Sequence, residues 1–349
     1  MNRFSMKITA GVTSAAVLVL LLVSSDMFFG NENTRGADAV RQTTASSEAA
    51  APSAVSQISS AVPSAVSGTS SASSVPVTLA EHPDVSVVKD PNKLKSSLCS
   101  PNAILIRVSD GAILLDKNAG QRIYPASMTK IMTELLTIEE APDLDEKVTI
   151  QKSLIDELNN KDASMAGFLP DEQVTDRDLL YGVILPSGAE CCISLADRLE
   201  GTEQNFARSM NMKAAELGLN DTHFTNTTGL HDPNHYTTVK DLAVLLDYAL
   251  QNKLFRQVFT TLSYTTSPTN EHTNGVFFRS TMSRCLRSTK VGNTTILGGK
   301  VGFTNQAGLC LASLAEYNGQ EYILVTAGAK NVYRGEIQDA LTVYGSLGK

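Results

Sequence analysis

Tyr124-Pro125-Ala126-Ser127-Met128-Thr129-Lys130 is the stretch on which the reading of this chain turns. It leads into apolar residues at helical spacing, so Ser127 to Lys130 is expected to open a helix. A serine hydroxyl is a poor nucleophile near neutral pH, because its proton must leave as it attacks. A lysine three residues on lies one turn away on the same face and can reach that oxygen. The spacing alone is unspecific: Ser86-Val87-Val88-Lys89 repeats it in a β-branched setting outside any helical pattern. Ser127 is singled out by its surroundings and by further short segments nearer the C-terminus.

The 349 residues fall into three compositional regions. Residues 1–30 read as a signal or membrane-anchor segment. Arg3 and Lys7 precede an apolar stretch, Ile8 to Phe29, whose densest part is Ala15 to Val23. A basic start and an apolar run mark export, and the run approaches the ~20 residues of a membrane span. An uncleaved anchor is favoured over a cleaved signal, so the expected location is extracytoplasmic, either tethered by the N-terminus or secreted after cleavage. Residues 31–95 are rich in Ser, Ala, Thr and Pro; such sequence buries too little apolar surface to offset its ordering entropy and reads as a disordered tether. Residues 96–349 carry nearly all the aromatics and are expected to form the folded domain.

The net charge of −7 gives no sign of a basic surface and argues against nucleic acid as a partner. The five cysteines (Cys99, Cys191, Cys192, Cys285, Cys310) leave at least one unpaired. They are expected to be mostly buried thiols, with a bridge from Cys192 or Cys285 to Cys310 left open. His231 and His235 stand four apart with Asp232 near, but Pro233 argues against a helix presenting both, and neither metal nor cofactor is expected.

Within the folded part, Asn102 to Ser109 reads as a strand, Asp110-Gly111 as a hairpin turn and Ala112 to Lys117 as the return strand. A long helical region follows, from Ser127 to about Gln257, interrupted by loops, with helices over Asp176–Ile184, Ala189–Leu199, Phe206–Leu217 and Thr238–Leu250. Strands return over Thr295–Phe303, Leu309–Tyr317 and, after Asn318-Gly319, Glu321–Ala329; a last helix spans about Gly335–Leu347. Strands at both ends with helices between imply an α+β fold: one antiparallel sheet built from both ends of the domain, with an inserted helical lobe.

Three short segments, in order, carry a resemblance: Ser127-Met128-Thr129-Lys130, Ser187-Gly188-Ala189, and Lys300-Val301-Gly302 with Phe303-Thr304 after it. Their flanks add Asp178-Leu179-Leu180-Tyr181-Gly182, Gly229-Leu230-His231 and His235-Tyr236-Thr237-Thr238. Together these resemble the serine-type D-alanyl-D-alanine carboxypeptidases, the low-molecular-mass penicillin-binding proteins, over roughly Ser100 to Lys349. The resemblance implies a β-lactamase/transpeptidase-like fold and the use of Ser-x-x-Lys, Ser-x-Asn and Lys-Thr-Gly motifs. It makes Ser127 the nucleophile, Lys130 its base and Ser187 a proton relay. It assigns substrate binding to Lys300, Gly302, Phe303, Thr304 and Arg334, with the oxyanion held by the N–H groups of Ser127 and Phe303 and the terminal carboxylate by Lys300, Thr304 and Arg334. Lys130 must be neutral to act, and burial and the charge of Lys300 are both expected to lower its pKa. The implied partners are a peptidoglycan stem peptide as substrate, β-lactams as acylating inhibitors and the cytoplasmic membrane.

Two departures bear on activity. Ala189 replaces the Asn of the second motif and Val301 the Thr of the third. A lost polar contact of this kind costs ~1–3 kcal/mol when its partners stay unpaired, so Ala189→Asn would raise turnover if the amide is missed. Glu190 is a candidate to replace that function. The departures keep open a weakened, peptidoglycan-binding or β-lactam-sensing protein; a β-lactamase is a further alternative.

Overall fold

The computed structural model describes residues 78–79, 87–330 and 332–349. The expected anchor segment, 1–30, and most of the expected tether, 31–95, lie outside the described residues. Among the described residues no helix is long and apolar enough to cross a membrane.

A six-stranded sheet is assembled from both ends of the domain. The N-terminal side supplies β1 (Asn102–Arg107) and β2 (Ala112–Lys117); the C-terminal side supplies β3 (Lys290–Val291), β4 (Thr294–Thr304), β5 (Gly308–Tyr317) and β6 (Gln320–Ala329). The order is β2-β1-β6-β5-β4-β3, with every neighbouring pair antiparallel. Strand β1 is apolar at every position from Ala103 to Ile106 because both faces of the sheet are covered. Ile104 and Ile106 join the larger core beneath the helical lobe, whereas Ala103 and Leu105 join a second core on the opposite face. The expected α+β architecture, with helices inserted between the two groups of strands, is the one observed.

The second core is closed by helix α1 (Pro91–Ser97) and by the last helix, α10 (Gly335–Tyr344). Val88, Leu94 and Leu98 are buried there, and Asp339 of α10 accepts hydrogen bonds from the Cys99 and Ser100 amides at 2.7 and 2.8 Å. The fold therefore begins before residue 96: the Ser- and Pro-containing segment that composition assigns to the tether ends in a capped, packed helix, with Asp90 accepting from the Lys93 amide.

The inserted lobe holds α2 (Lys130–Glu140), α3 (Lys152–Asn160), α4 (Asp176–Ile184), α5 (Ala189–Glu200), α6 (Glu203–Glu216), α7 (Val239–Leu250), α8 (Lys253–Thr260) and the short α9 (Thr281–Cys285). Helices α4, α6 and α7 start after Thr175, Thr202 and Thr238, whose hydroxyls each accept the N–H three residues on. Helix α2 is the axis of the lobe: every residue from Lys130 to Thr137 is buried, which brings two ionisable side chains, Lys130 and Glu134, into the core.

Candidate active site

The chain enters the site through a two-residue strand, Arg122–Ile123, paired with Thr237–Thr238. Ser127 does not open an α-helix as the spacing predicts; it sits in a 3-10 turn, Ala126–Thr129, and the α-helix starts at Lys130. The reason is Ala126, whose φ of 48° is left-handed and unusual for a residue with a Cβ. Two glycines clamp this turn. A Cβ on Gly229, itself at φ 80°, would overlap the Ala126 carbonyl, and one on Gly302 would lie 2.9 Å from the Ser127 nitrogen. Strand β4 and the 226–229 loop thus approach Ser127 more closely than any side chain permits.

Lys130 Nζ lies 3.4 Å from Ser127 Oγ and donates to the Thr228 carbonyl at 2.8 Å. Ser187 comes after Leu185-Pro186 at the end of α4, again with positive φ, 70°. Its hydroxyl accepts from Lys300 Nζ at 2.9 Å, and Lys300 also donates to the Val301 carbonyl. Lys130 and Lys300 are 2% and 0% exposed, so each ammonium carries a desolvation penalty of several kcal/mol if charged. Burial pushes Lys130 below its ordinary range. Burial pushes Lys300 further down, and the neighbouring Lys130 charge adds to it. Desolvation is the largest cause for both lysines, and the repulsion between the two ammoniums disfavours charging both at once. A neutral amine beside a serine hydroxyl can take its proton, and the two Ser–Lys pairs together can carry a proton across the site.

Gly302, Phe303 and Thr304 continue from Lys300 along β4. Phe303 is 60% exposed, and with Thr304 it lines a cleft of about 700 Å³ whose other walls include Thr228, Leu230 and Ile193. Thr304 Oγ1 accepts from the Ala307 amide at 3.0 Å.

Residues 88–331 match a peptidase family model described as D-alanyl-D-alanine carboxypeptidase. The chain belongs to that family. It is 33% identical over 232 residues to the D-alanyl-D-alanine carboxypeptidase DacF of Bacillus subtilis, which covers 65% of this chain and 57% of that protein. It is 32% identical over 247 residues to the D-alanyl-D-alanine carboxypeptidase of Streptomyces sp. strain K15, covering 66% of this chain and 80% of that protein. A crystal structure of the Streptomyces DD-transpeptidase superposes with a TM-score of 0.64 at 28% identity, over 71% of this chain and 97% of that one. The chain thus spans little more than half the length of the B. subtilis relative.

In this member of the D-alanyl-D-alanine carboxypeptidase family, the structure brings Ser127, Lys130, Ser187 and Lys300 together. The Arg334 guanidinium donates to the Cys285 carbonyl at 3.4 Å and lies 5.0 Å from the Tyr333 ring; among the described residues its hydrogen bond is to Cys285 rather than to Ser127, Ser187 or Lys300. Ala189 is 1% exposed and packs with Leu154, Leu158, Met165, Ile193 and Leu230. The methyl group is filling an apolar cluster there, and helix α3, which supplies Leu154 and Leu158, lies inside the expected helical region but is not singled out by the sequence pattern. Val301 packs against the second core on the far face of the sheet. Glu190 Oε1 accepts from the Ala166 and Gly167 amides, its Oε2 has no hydrogen-bond partner among the described residues, and burial raises its pKa. All five cysteines are free thiols, so the Cys310 bridge is not formed.

His231 and His235 each have protein partners. His231 packs edge-on against Tyr124, and both nitrogens of His235 are engaged by protein groups. Sequence reasoning also missed the Thr228 carbonyl as the partner of Lys130. A backbone acceptor leaves no side-chain signature, although Asn226, which accepts from the Thr228 and Gly229 amides and shapes that loop, lies just before the Gly229-Leu230-His231 flank.

Proposed function

We propose that this chain is an exported serine D,D-carboxypeptidase that removes the terminal D-alanine from peptidoglycan stem peptides through an acyl-enzyme on Ser127. The observation that carries this reading is the Ser127–Lys130 pair at 3.4 Å, in a pocket where burial favours the neutral amine. Lys130 takes the Ser127 proton as Oγ bonds to the carbonyl carbon between the two D-alanines. The N–H groups of Ser127 and Phe303 receive the charge that develops on the carbonyl oxygen. Collapse breaks the C–N bond, and Ser187, held by Lys300, passes a proton to the departing amine. Water then cleaves the ester, restoring the serine hydroxyl and releasing the shortened peptide. Lys300 and Thr304 hold the terminal carboxylate, and the cleft beside Phe303 receives the rest of the stem. A β-lactam would acylate the same oxygen. The segment Ile8 to Phe29 would anchor the enzyme outside the cytoplasmic membrane.

Ser127→Ala is expected to release no D-alanine from a D-Ala-D-Ala peptide and to take no label from a fluorescent penicillin. Turnover by that variant rejects Ser127 as nucleophile. A wild type that acylates once with penicillin and never releases D-alanine is a sensor instead.

A further inference from the structure

Behind Ser127 runs a polar relay that the proposed reaction does not use. The Thr225 backbone N–H donates to His235 Nδ1 at 3.0 Å. An amide nitrogen can only donate, so Nδ1 carries no proton and the neutral imidazole holds it on Nε2. Nε2 lies 2.7 Å from Thr129 Oγ1 and therefore donates to it. The Thr129 hydroxyl gives its own proton to the Ala126 carbonyl, at 2.8 Å. Both side chains are essentially dry, His235 at 2% and Thr129 at 0% exposure. Every donor and acceptor along the relay has one orientation available to it.

The relay ends on a particular peptide group. The Ala126 carbonyl and the Ser127 N–H belong to the same trans peptide plane and point in opposite directions. Fixing the carbonyl fixes the direction of the N–H. Ala126 is also the residue at φ 48°, a conformation that relaxes unless neighbours hold it. Gly229 closes on this carbonyl and Gly302 on the Ser127 nitrogen by shape; the backbone of the 3-10 turn is directional but local, and the hydroxyl of Thr129 is the directional side-chain contact. We propose that His235 and Thr129 form a positioning relay that aims the Ser127 N–H at the oxyanion. The inference rests on the acyl-enzyme reading, and His235 acts through Thr129 without touching substrate.

The oxyanion exists only in the transition state, so a misaimed N–H slows acylation and leaves non-covalent binding alone. The experiment is stopped-flow acylation by penicillin, resolved into a dissociation constant and a first-order acylation rate, on folded protein verified by circular dichroism. Thr129→Val keeps the shape and removes the hydroxyl; His235→Asn keeps an acceptor near Nδ1 and removes the donor near Nε2. Each is expected to slow acylation by about 10–100-fold, short of the ~10²–10³ for deleting an oxyanion donor outright, with the dissociation constant held. His235→Gln, which restores an N–H near Nε2, is expected to recover part of the rate. An acylation rate equal to wild type in folded Thr129→Val overturns the proposal, as does a loss confined to the dissociation constant or to the melting temperature. Should His235→Asn not fold, Thr129→Val decides; if neither folds, the relay is a folding element and the proposal is rejected. A wild type that never acylates is a different failure, that of the enzyme reading itself, and removes the proposal with it.

Discussion

Gly302 marks the closest approach of strand β4 to the nucleophile turn. A Cβ there would lie 2.9 Å from the Ser127 nitrogen, 3.1 Å from the Ala126 Cβ and 3.2 Å from the Pro125 carbonyl, so backbone must yield rather than a flexible side chain. Gly302→Ala is expected to shift the turn and cut penicillin acylation by about 10²-fold, the usual cost of a ~1 Å misplacement of a reacting group, with little loss of melting temperature. His235 sets a pH dependence of stability. Burial, the largest cause, holds its imidazole down to about 4, against the pull of Asp232. The unfolded chain binds that proton near 6.5, so between about 6.5 and 4 the unfolded state carries more protons and stability falls as pH drops. The total loss is about 3 kcal/mol, absent above 6.5 and complete below 4. Denaturant melts of wild type and His235→Gln across that window check it: the variant should lose this part of the slope.

Helix α5 gives a motif position a packing role that the sequence pattern does not report. Ala189 stands where the family pattern has Asn, and on sequence alone a missing amide means a lost contact. In the fold its methyl is packed by Leu154 and Leu158 of α3, by Ile193 one turn along α5, and by Leu230. Ala189→Asn would bury an amide among these side chains at a cost of about 1–3 kcal/mol. The expected outcome is a lower melting temperature with no gain in D-alanine release; a clear gain would mean that the helix rotates to offer the amide to substrate. The long elements were legible because their periodicity is strong: Asp176–Ile184 and Ala112–Lys117 are observed with the predicted bounds. Helix α3 and the ribbons Lys147–Thr149 with Gln173–Thr175, and Ser263–Thr265 with Phe277–Arg279, were not. Strands of three residues carry too few positions for a period to show, and the charged residues of α3 hide the two leucines that anchor it.

At the scale of the molecule, composition drew the domain boundary too late. Pro91, Ser96 and Ser97 resemble the preceding tether, yet α1 buries Leu94, and Val88 before it is buried too. A fragment starting at Val87 is expected to melt with the full chain. One starting at Ser96 removes two side chains from the second core, each worth about 1.5–3 kcal/mol, and should melt well below it; thermal denaturation of the two fragments decides. The sequence by itself determined the α+β class, the strands at both ends, and the motif residues Ser127, Lys130, Ser187 and Lys300, because period, turn chemistry and motif order are local properties of the chain. Only the tertiary structure decided that Lys300 is buried with its Nζ on Ser187, that Ala189 serves packing, that Arg334 bonds the Cys285 carbonyl, and that His235 reaches the nucleophile turn through Thr129. Desolvation, close packing and hydrogen-bond direction depend on what the rest of the chain brings alongside, and a residue's neighbours in sequence do not report it.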